Sequence, residues 1–237
     1  MDLRQSDNVI VMDTHVFSSQ ERNNRETMIF QDRRQAGEKL AQELRSLALQ
    51  DPVVLALPRG GVPVGSAVAR ILACPFDVIP LMKIPIPWSP EASYGVVAMD
   101  GTKVLNRPLV NRLELSEREL EMAAAMVLQE AKRREQLYRR GRPFPDLSNR
   151  TVIFVDDGLA SGYSMLAAVH FAQKRRPGSI IVAAPIASDM AFRMLAAEKG
   201  IDRIVTFVRD VEQVFSLAVY YKDFRTLNDD DVLRELA

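Results

Sequence analysis

Two adjacent carboxylates, Asp156 and Asp157, follow an apolar run and precede a short loop of small and hydroxyl residues. The full stretch is Val152-Ile-Phe-Val-Asp156-Asp157-Gly158-Leu-Ala160-Ser161-Gly162-Tyr163-Ser164. The run Thr151 to Val155 is rich in β-branched residues and predicts a buried parallel strand. The acid pair then stands at the carboxyl end of that strand, the edge where open α/β sheets bind ligands. The loop Ala160 to Ser164 leads into a predicted helix, whose free N–H groups and positive dipole end suit a phosphate. Acceptors for sugar hydroxyls and donors for a phosphate thus fall within one segment, which describes a sugar-phosphate site.

A second loop carries complementary chemistry. Val53 to Leu57 predicts a short buried strand, followed by Pro58-Arg59-Gly60-Gly61 and a helix reaching Leu72. Glycines at 60 and 61 let backbone N–H groups approach an anion closely. Arg59 can add a bidentate contact to it. The next predicted strand, Phe76 to Lys83, puts Lys83 at its carboxyl end, on the same sheet edge as Arg59 and Asp156.

The segment 152–164 resembles the phosphoribosyl-diphosphate (PRPP) signature of type I phosphoribosyltransferases: apolar residues, two acids, then a Thr/Ser-Gly-x-Thr/Ser loop. Residues 58–61 are similar to that family's pyrophosphate-binding loop. The resemblance covers about residues 30 to 235. It implies a transferase that replaces the pyrophosphate on C1 of PRPP with an acceptor nitrogen. It implies that Asp156 and Asp157 hold the ribose hydroxyls, directly or through Mg²⁺ carried by the substrate phosphates. Gly158, Ala160, Ser161, Gly162, Tyr163 and Ser164 would bind the 5′-phosphate. Arg59, Gly60, Gly61 and Lys83 would bind pyrophosphate, and Asp156, Asp157, Arg59 and Lys83 form the implied catalytic set. Pro90-Glu91-Ala-Ser-Tyr94-Gly95 resembles the family's hood, which closes over the reactive centre. Glu91 is a candidate proton acceptor there. Trp88 and Tyr94 could stack on an acceptor base or serve equally as core or interface aromatics. A homodimer is a further family-level expectation.

The sequence departs from the family at several positions. Met82-Lys83 stands where the related subgroup usually shows Arg-Lys, so one cation is missing. Ala160 occupies the place of the Asp that acts as base in hypoxanthine-guanine transferases. Tyr163 replaces a small residue, and Ser161 and Ser164 stand where Thr is common. In the tail, Ala218 stands where the subgroup shows Gly.

The remaining elements must position these groups. Asp32 to Gln50 predicts an amphipathic helix capped by Asp32. Residues 84–111 are rich in proline and predict a long loop, of the kind that is usually functional within a compact domain. Ser116-Glu-Arg-Glu119 is a capping box opening a long helix to about Arg140, whose basic last turns suit the helix dipole and solvent. Then come a helix from Met165 to Arg175, a strand from Ser179 to Ala184, a helix capped by Ser188, a strand from Ile201 to Val208 and a short helix after Asn228. Strands alternating with helices predict a central parallel α/β sheet flanked by helices, with the hood loop and long helix (84–145) inserted before the signature strand. Residues 29–237 form the expected domain, and 1–28 form a polar extension, loop-like apart from a short strand at Val9 to Met12.

The whole chain narrows the function further. It has 237 residues, 31 basic and 31 acidic, hence no net charge to attract nucleic acid or a membrane surface. One cysteine, Cys74, excludes an intramolecular disulfide. His15 and His170 have no cysteine or acidic cluster beside them, which argues against a metal site of their own. No apolar run is long enough to span a bilayer. These features predict a soluble cytoplasmic protein. Two functions follow: a phosphoribosyl-transferring enzyme with an unassigned base or amine acceptor, or a non-catalytic PRPP- or nucleotide-binding regulator of the same fold. No DNA-binding helix-turn-helix is visible, which disfavours DNA-binding regulation, and the long hood with its aromatic residue favours the enzyme.

Overall fold

A computed structural model describes residues 10–11, 15–17, 30–86, 88–212 and 215–237; the side chains of residues 10–17, 90 and 91 are not among its described parts. Most of the expected 1–28 extension therefore lies outside the described residues. The strands within it are β1 (Ile10–Val11) and β2 (His15–Phe17). The first described helix, α1 (Arg33–Arg45), starts at Asp32, whose carboxylate accepts from the Gln35 amide at 2.8 Å. β3 (Val53–Ala56), α2 (Gly61–Leu72) and β4 (Phe76–Val78) follow. Next come β5 (Leu81–Ile86), β6 (Ser89–Ala98) and β7 (Lys103–Leu105). Two helices, α3 (Arg107–Arg112) and α4 (Glu117–Arg139), precede β8 (Thr151–Val155). The chain continues through α5 (Tyr163–Gln173), β9 (Ser179–Ala183), β10 (Ile186–Ser188) and α6 (Asp189–Ala196). It ends with β11 (Arg203–Val205), β12 (Val208–Asp210) and α7 (Asp229–Glu235).

The central sheet has the order β1-β11-β9-β8-β3-β4, all parallel. Every residue of β8 is buried because helices cover both faces. Val152 and Phe154 join one core with Met165, Ala168 and Phe171 of α5. Ile153 and Val155 join the other with Leu40 and Leu44 of α1 and Val64 and Val68 of α2. The strand's alternation thus docks α5 on one side and α1 and α2 on the other. β3 and β8 are neighbours, yet the chain leaves β3 toward β4 and β8 toward β9. The order reverses between them, which opens a crevice beyond their carboxyl ends.

Three sequence expectations change. Residues 84–111 are largely not a loop: β5, β6 and β7 form a three-stranded antiparallel sheet, followed by α3. The prolines there mislead because Pro85 lies on an edge strand at a register irregularity, where a missing N–H is tolerated. Ile84, Ile86, Tyr94 and Val97 pack this sheet beneath Leu120 and Ala124 of α4. Phe76 to Lys83 divides after Val78, where Pro80 cannot continue the ladder. β4 stays in the central sheet and β5 enters the antiparallel one, so Lys83 sits mid-strand opposite Val96. Ile201 to Val208 likewise divides around Thr206, whose hydroxyl donates to the Pro185 and Val208 carbonyls. β12 then joins a small parallel sheet with β10 and β2. The capping box of α4 forms as read, with the Ser116 hydroxyl accepting from the Glu119 amide and the Glu119 carboxylate accepting from the Ser116 amide.

Candidate functional site

The crevice between the β3 and β8 ends is a cleft of about 610 Å³. Asp156 and Asp157 stand at its floor because β8 ends there. The Asp156 carboxylate accepts the Asp157 amide at 2.8 Å. Burial, and then the Asp157 charge, push the Asp156 carboxyl well above the ordinary carboxylate range; Lys83 acts in the opposite direction. Asp157 is buried and already engaged. Its Oδ2 accepts from Nε of Arg33 at 2.8 Å, and its carbonyl accepts from the Tyr221 hydroxyl at 2.6 Å. Burial, and then Asp157, raise the Tyr221 phenol, which keeps it a donor.

On the α5 side, the loop after Asp157 is pinned to the neighbouring strand. The Leu159 amide donates to the Ile186 carbonyl at 2.8 Å, and the Ser188 hydroxyl donates to the Ala160 carbonyl at 2.6 Å. Gly162 caps α5 at φ +78 with no side-chain hydrogen bond, so a left-handed residue replaces a capping side chain. Gly158, Ala160, Ser161, Gly162 and Ser164 line the cleft. Tyr163 does not. Its ring packs beside Val96, Val104 and Ala167, which explains a large residue where a small one was expected.

Arg59 and Gly60 line the cleft from the loop after β3, and Lys83 lines it from β5. The Pro58–Arg59 peptide is cis. A Cβ on Gly60 would overlap Oδ2 of Asp157, so the two loops touch through a glycine. Gly61 is outside the cleft lining: its amide donates to the Leu57 carbonyl at 3.1 Å. Its N–H is therefore spent on starting α2, which differs from the anion contact expected of it.

Two of the hood candidates, Tyr94 and Trp88, are outside the cleft lining. Tyr94 is 1% exposed within the core beneath α4, so it cannot stack on a base. Trp88 is 66% exposed at the β5–β6 turn and is not part of the lining. Both were candidates only because aromatic type is visible in a sequence and facing is not. The Glu91 side chain lies outside the described residues.

Other residues close the cleft that sequence reasoning missed. Arg33 reaches Asp157, donates from Nη1 to the Arg225 carbonyl at 2.9 Å, and lies 4.0 Å over the Phe224 ring. Leu217, Phe224, Thr226 and Leu227 of the C-terminal segment form a further wall. Arg134 enters from α4. A signal for Arg33 was available: α1 opens with two arginines and no acid in its first turn, against the helix dipole.

A family model for the phosphoribosyl transferase domain matches residues 104–223, just over half of the chain. The chain belongs to the phosphoribosyl transferase family. The match includes the acid pair and the Tyr221 anchor but not Arg59. A Mycobacterium tuberculosis protein, provisionally named a phosphoribosyl transferase, is 35% identical over 205 residues, covering 86% of this chain and 46% of that protein. The chain thus spans about half the length of the curated relatives it matches. A Thermus thermophilus protein of known crystal structure is 37% identical, with a TM-score of 0.74 over 88% of this chain and 98% of that one. Among the described residues no group of three or more His, Cys, Asp or Glu side chains is placed to hold a metal ion, and no helix is long and apolar enough to cross a membrane.

Proposed function

We propose that this phosphoribosyl transferase domain binds PRPP and transfers its phosphoribosyl group to the nitrogen of a base or amine, releasing pyrophosphate. The observation that carries this reading is the make-up of a single cleft: carboxylates at the end of β8, Arg59 from the loop after β3 with Lys83 from β5, and the N-terminus of α5 with no capping side chain. PRPP has the matching parts, with a pyrophosphate, a hydroxylated ring and a 5′-phosphate.

In the reaction, the C1–O bond to pyrophosphate breaks and its electron pair leaves with the pyrophosphate. The acceptor nitrogen's lone pair forms the new C1–N bond, and a proton on that nitrogen passes to solvent or to the departing pyrophosphate. Arg59 and Lys83 oppose the charge that develops on the leaving group, where fixed donors accelerate the step most. Asp156 accepts from a ribose hydroxyl. Asp157, held by Arg33 and Tyr221, supports that carboxylate and shapes the floor. The first-turn amides of α5 with Ser161 and Ser164 hold the 5′-phosphate.

The donor set suits Mg²⁺ only as an ion carried by PRPP. Asp157 is spent on Arg33, and one remaining carboxylate plus substrate phosphates is a usual environment for that ion. When bound, Mg²⁺ would neutralise phosphate charge. A cytoplasmic setting is part of this reading, since PRPP is an intracellular metabolite class.

The test is an acceptor screen. Protein, PRPP and Mg²⁺ are incubated with a panel of nucleobases and amines while pyrophosphate release is followed, and PRPP binding is measured separately by calorimetry. Turnover with one acceptor supports the enzyme. PRPP binding without any turnover supports the regulatory alternative. Absence of PRPP binding overturns both.

A further inference from the structure

The cation missing at position 82 has a replacement elsewhere in the fold. Met82 lines the cleft and contributes no charge. Arg134 also lines it, delivered by a helix that belongs to neither phosphate loop. Its spacing explains why it points inward. Ala131, three residues before, and Tyr138, four residues after, are both buried, so Arg134 shares the buried face of α4. Glu130 holds its Nε at 2.9 Å. That carboxylate does not cancel it, because Arg133 also forks onto Glu130 at 2.6 and 2.8 Å. The three residues together carry one net positive charge at the cleft wall.

The neighbourhood of this charge is the Arg59 side of the site. Tyr138, one turn along α4, packs with Ala56 of β3 and Val62 of α2, which flank the Arg59 loop, and donates its hydroxyl to Asp229 at 2.6 Å. The other two arginines of the lining have more of their donors taken: Arg33 gives Nε to Asp157 and Nη1 to the Arg225 carbonyl, and Arg225 gives both Nη groups to Asp231 at 2.9 and 2.8 Å, whereas Arg134 gives Glu130 its Nε. Arg59, Lys83 and Arg134 are therefore the lining cations with the most donors left to meet an anionic ligand.

We infer that Arg134 is a pyrophosphate-binding residue, which supplies from α4 the charge that Met82 lacks. The inference rests on the function proposed above and assigns α4 a role in it beyond covering the antiparallel sheet. A guanidinium can contact two pyrophosphate oxygens at once while its Nε stays on Glu130. Because the leaving group gains charge as the C1–O bond breaks, the contact strengthens along the reaction.

The experiment is calorimetric titration of the whole chain with Mg²⁺-pyrophosphate, PRPP and ribose 5-phosphate. Arg134→Gln weakens pyrophosphate and PRPP binding roughly 10- to 100-fold and leaves ribose 5-phosphate unchanged. Arg133→Gln, which leaves Glu130 to Arg134 alone, weakens pyrophosphate and PRPP binding less than Arg134→Gln does and leaves ribose 5-phosphate unchanged. Arg134→Lys, a point charge without the fork, falls between the wild type and Arg134→Gln, and it carries the test if Arg134→Gln does not fold. Wild-type pyrophosphate affinity in these Arg134 variants overturns the inference, as does an equal loss for pyrophosphate and ribose 5-phosphate. If the unaltered protein binds neither PRPP nor ribose 5-phosphate, the proposed function falls and takes the inference with it.

Discussion

The Arg33–Asp157 pair provides the strongest test of how the site is built. Both side chains are only 10% exposed, so neither charge is well solvated. Arg33→Met removes the cation and leaves the Asp157 carboxylate buried without its partner. It also removes the donor to the Arg225 carbonyl and the group lying over Phe224. Breaking a buried pair from one side costs about 3–5 kcal/mol. At about 2–4 °C per kcal/mol for a chain of this size, the melting temperature falls by about 6–20 °C. Urea unfolding at neutral pH measures the free energy directly. The decisive comparison is the double variant Arg33→Met/Asp157→Asn. Removing the stranded charge recovers about 2–3 kcal/mol of the loss, as the coupling expected of residues in contact. Recovery stays incomplete because the Arg225 and Phe224 contacts remain broken. A single variant within about 0.5 kcal/mol of wild type would show that the pair contributes nothing. A double variant no more stable than the single would show that stranded charge is not the cause.

Three further outcomes follow from the same geometry. Asp156→Asn stabilises the free protein while abolishing PRPP binding. The Asp156 pKa is raised in the folded state, so the folded protein binds more protons than the unfolded chain above the ordinary carboxylate range. Its ionisation therefore costs stability as pH rises through that window. Urea titrations should show the gain of the Asn variant at pH 7 shrinking toward pH 4. Ser161→Ala loses a contact to a charged phosphate and weakens PRPP binding roughly 10- to 150-fold by calorimetry; unchanged affinity removes Ser161 from the site. Gly162→Val forces a β-branched side chain to φ +78 and places a Cβ 2.5 Å from the Met194 methyl carbon. It should lower stability by about 1–3 kcal/mol and weaken ribose 5-phosphate binding, measured by thermal melting and calorimetry.

The sequence made some of this legible and hid the rest for physical reasons. β8 was readable because five apolar residues between turn signals have few alternatives to a buried strand, and α1 and α4 because their cap residues sit at fixed offsets. The β5–β7 sheet was not, because proline suppresses a strand reading and edge position cannot be known before pairing. Facing was also hidden. Tyr94 is an aromatic candidate by type and Tyr163 a phosphate-loop candidate by position, yet Tyr94 is buried in the core of the antiparallel sheet and the half-buried Tyr163 packs against Val96 and Val104 of it. The partners of Asp157 come from positions 33 and 221, and no local pattern joins residues so far apart. Arg134 was hidden differently: it sits in a run of basic residues where a solvated face is the simpler reading, and only the burial of Ala131 and Tyr138 sets it apart.

Asp157 carries this reasoning from structure to function. An acid pair at a strand end invites the reading that both carboxylates meet the sugar. In this chain the two acids have different surroundings: Asp156 beside Lys83 with a raised pKa, Asp157 neutralised by Arg33 and tied through its carbonyl to Tyr221. Through those ties Asp157 connects α1 and the C-terminal segment to the signature loop. Gly60 touches the same carboxylate from the β3 side. The residue that joins the loops proposed for pyrophosphate and 5′-phosphate is thus the one that also holds the wall of Phe224 to Leu227. In that wall Arg225 has both Nη groups turned onto Asp231. An acceptor entering there meets carbon and backbone before it meets the cations, which fits a neutral base or amine better than an anionic one. Comparing neutral and carboxylated acceptors at equal concentration in the pyrophosphate-release assay tests that preference. Faster release with the carboxylated member of each pair would refute it.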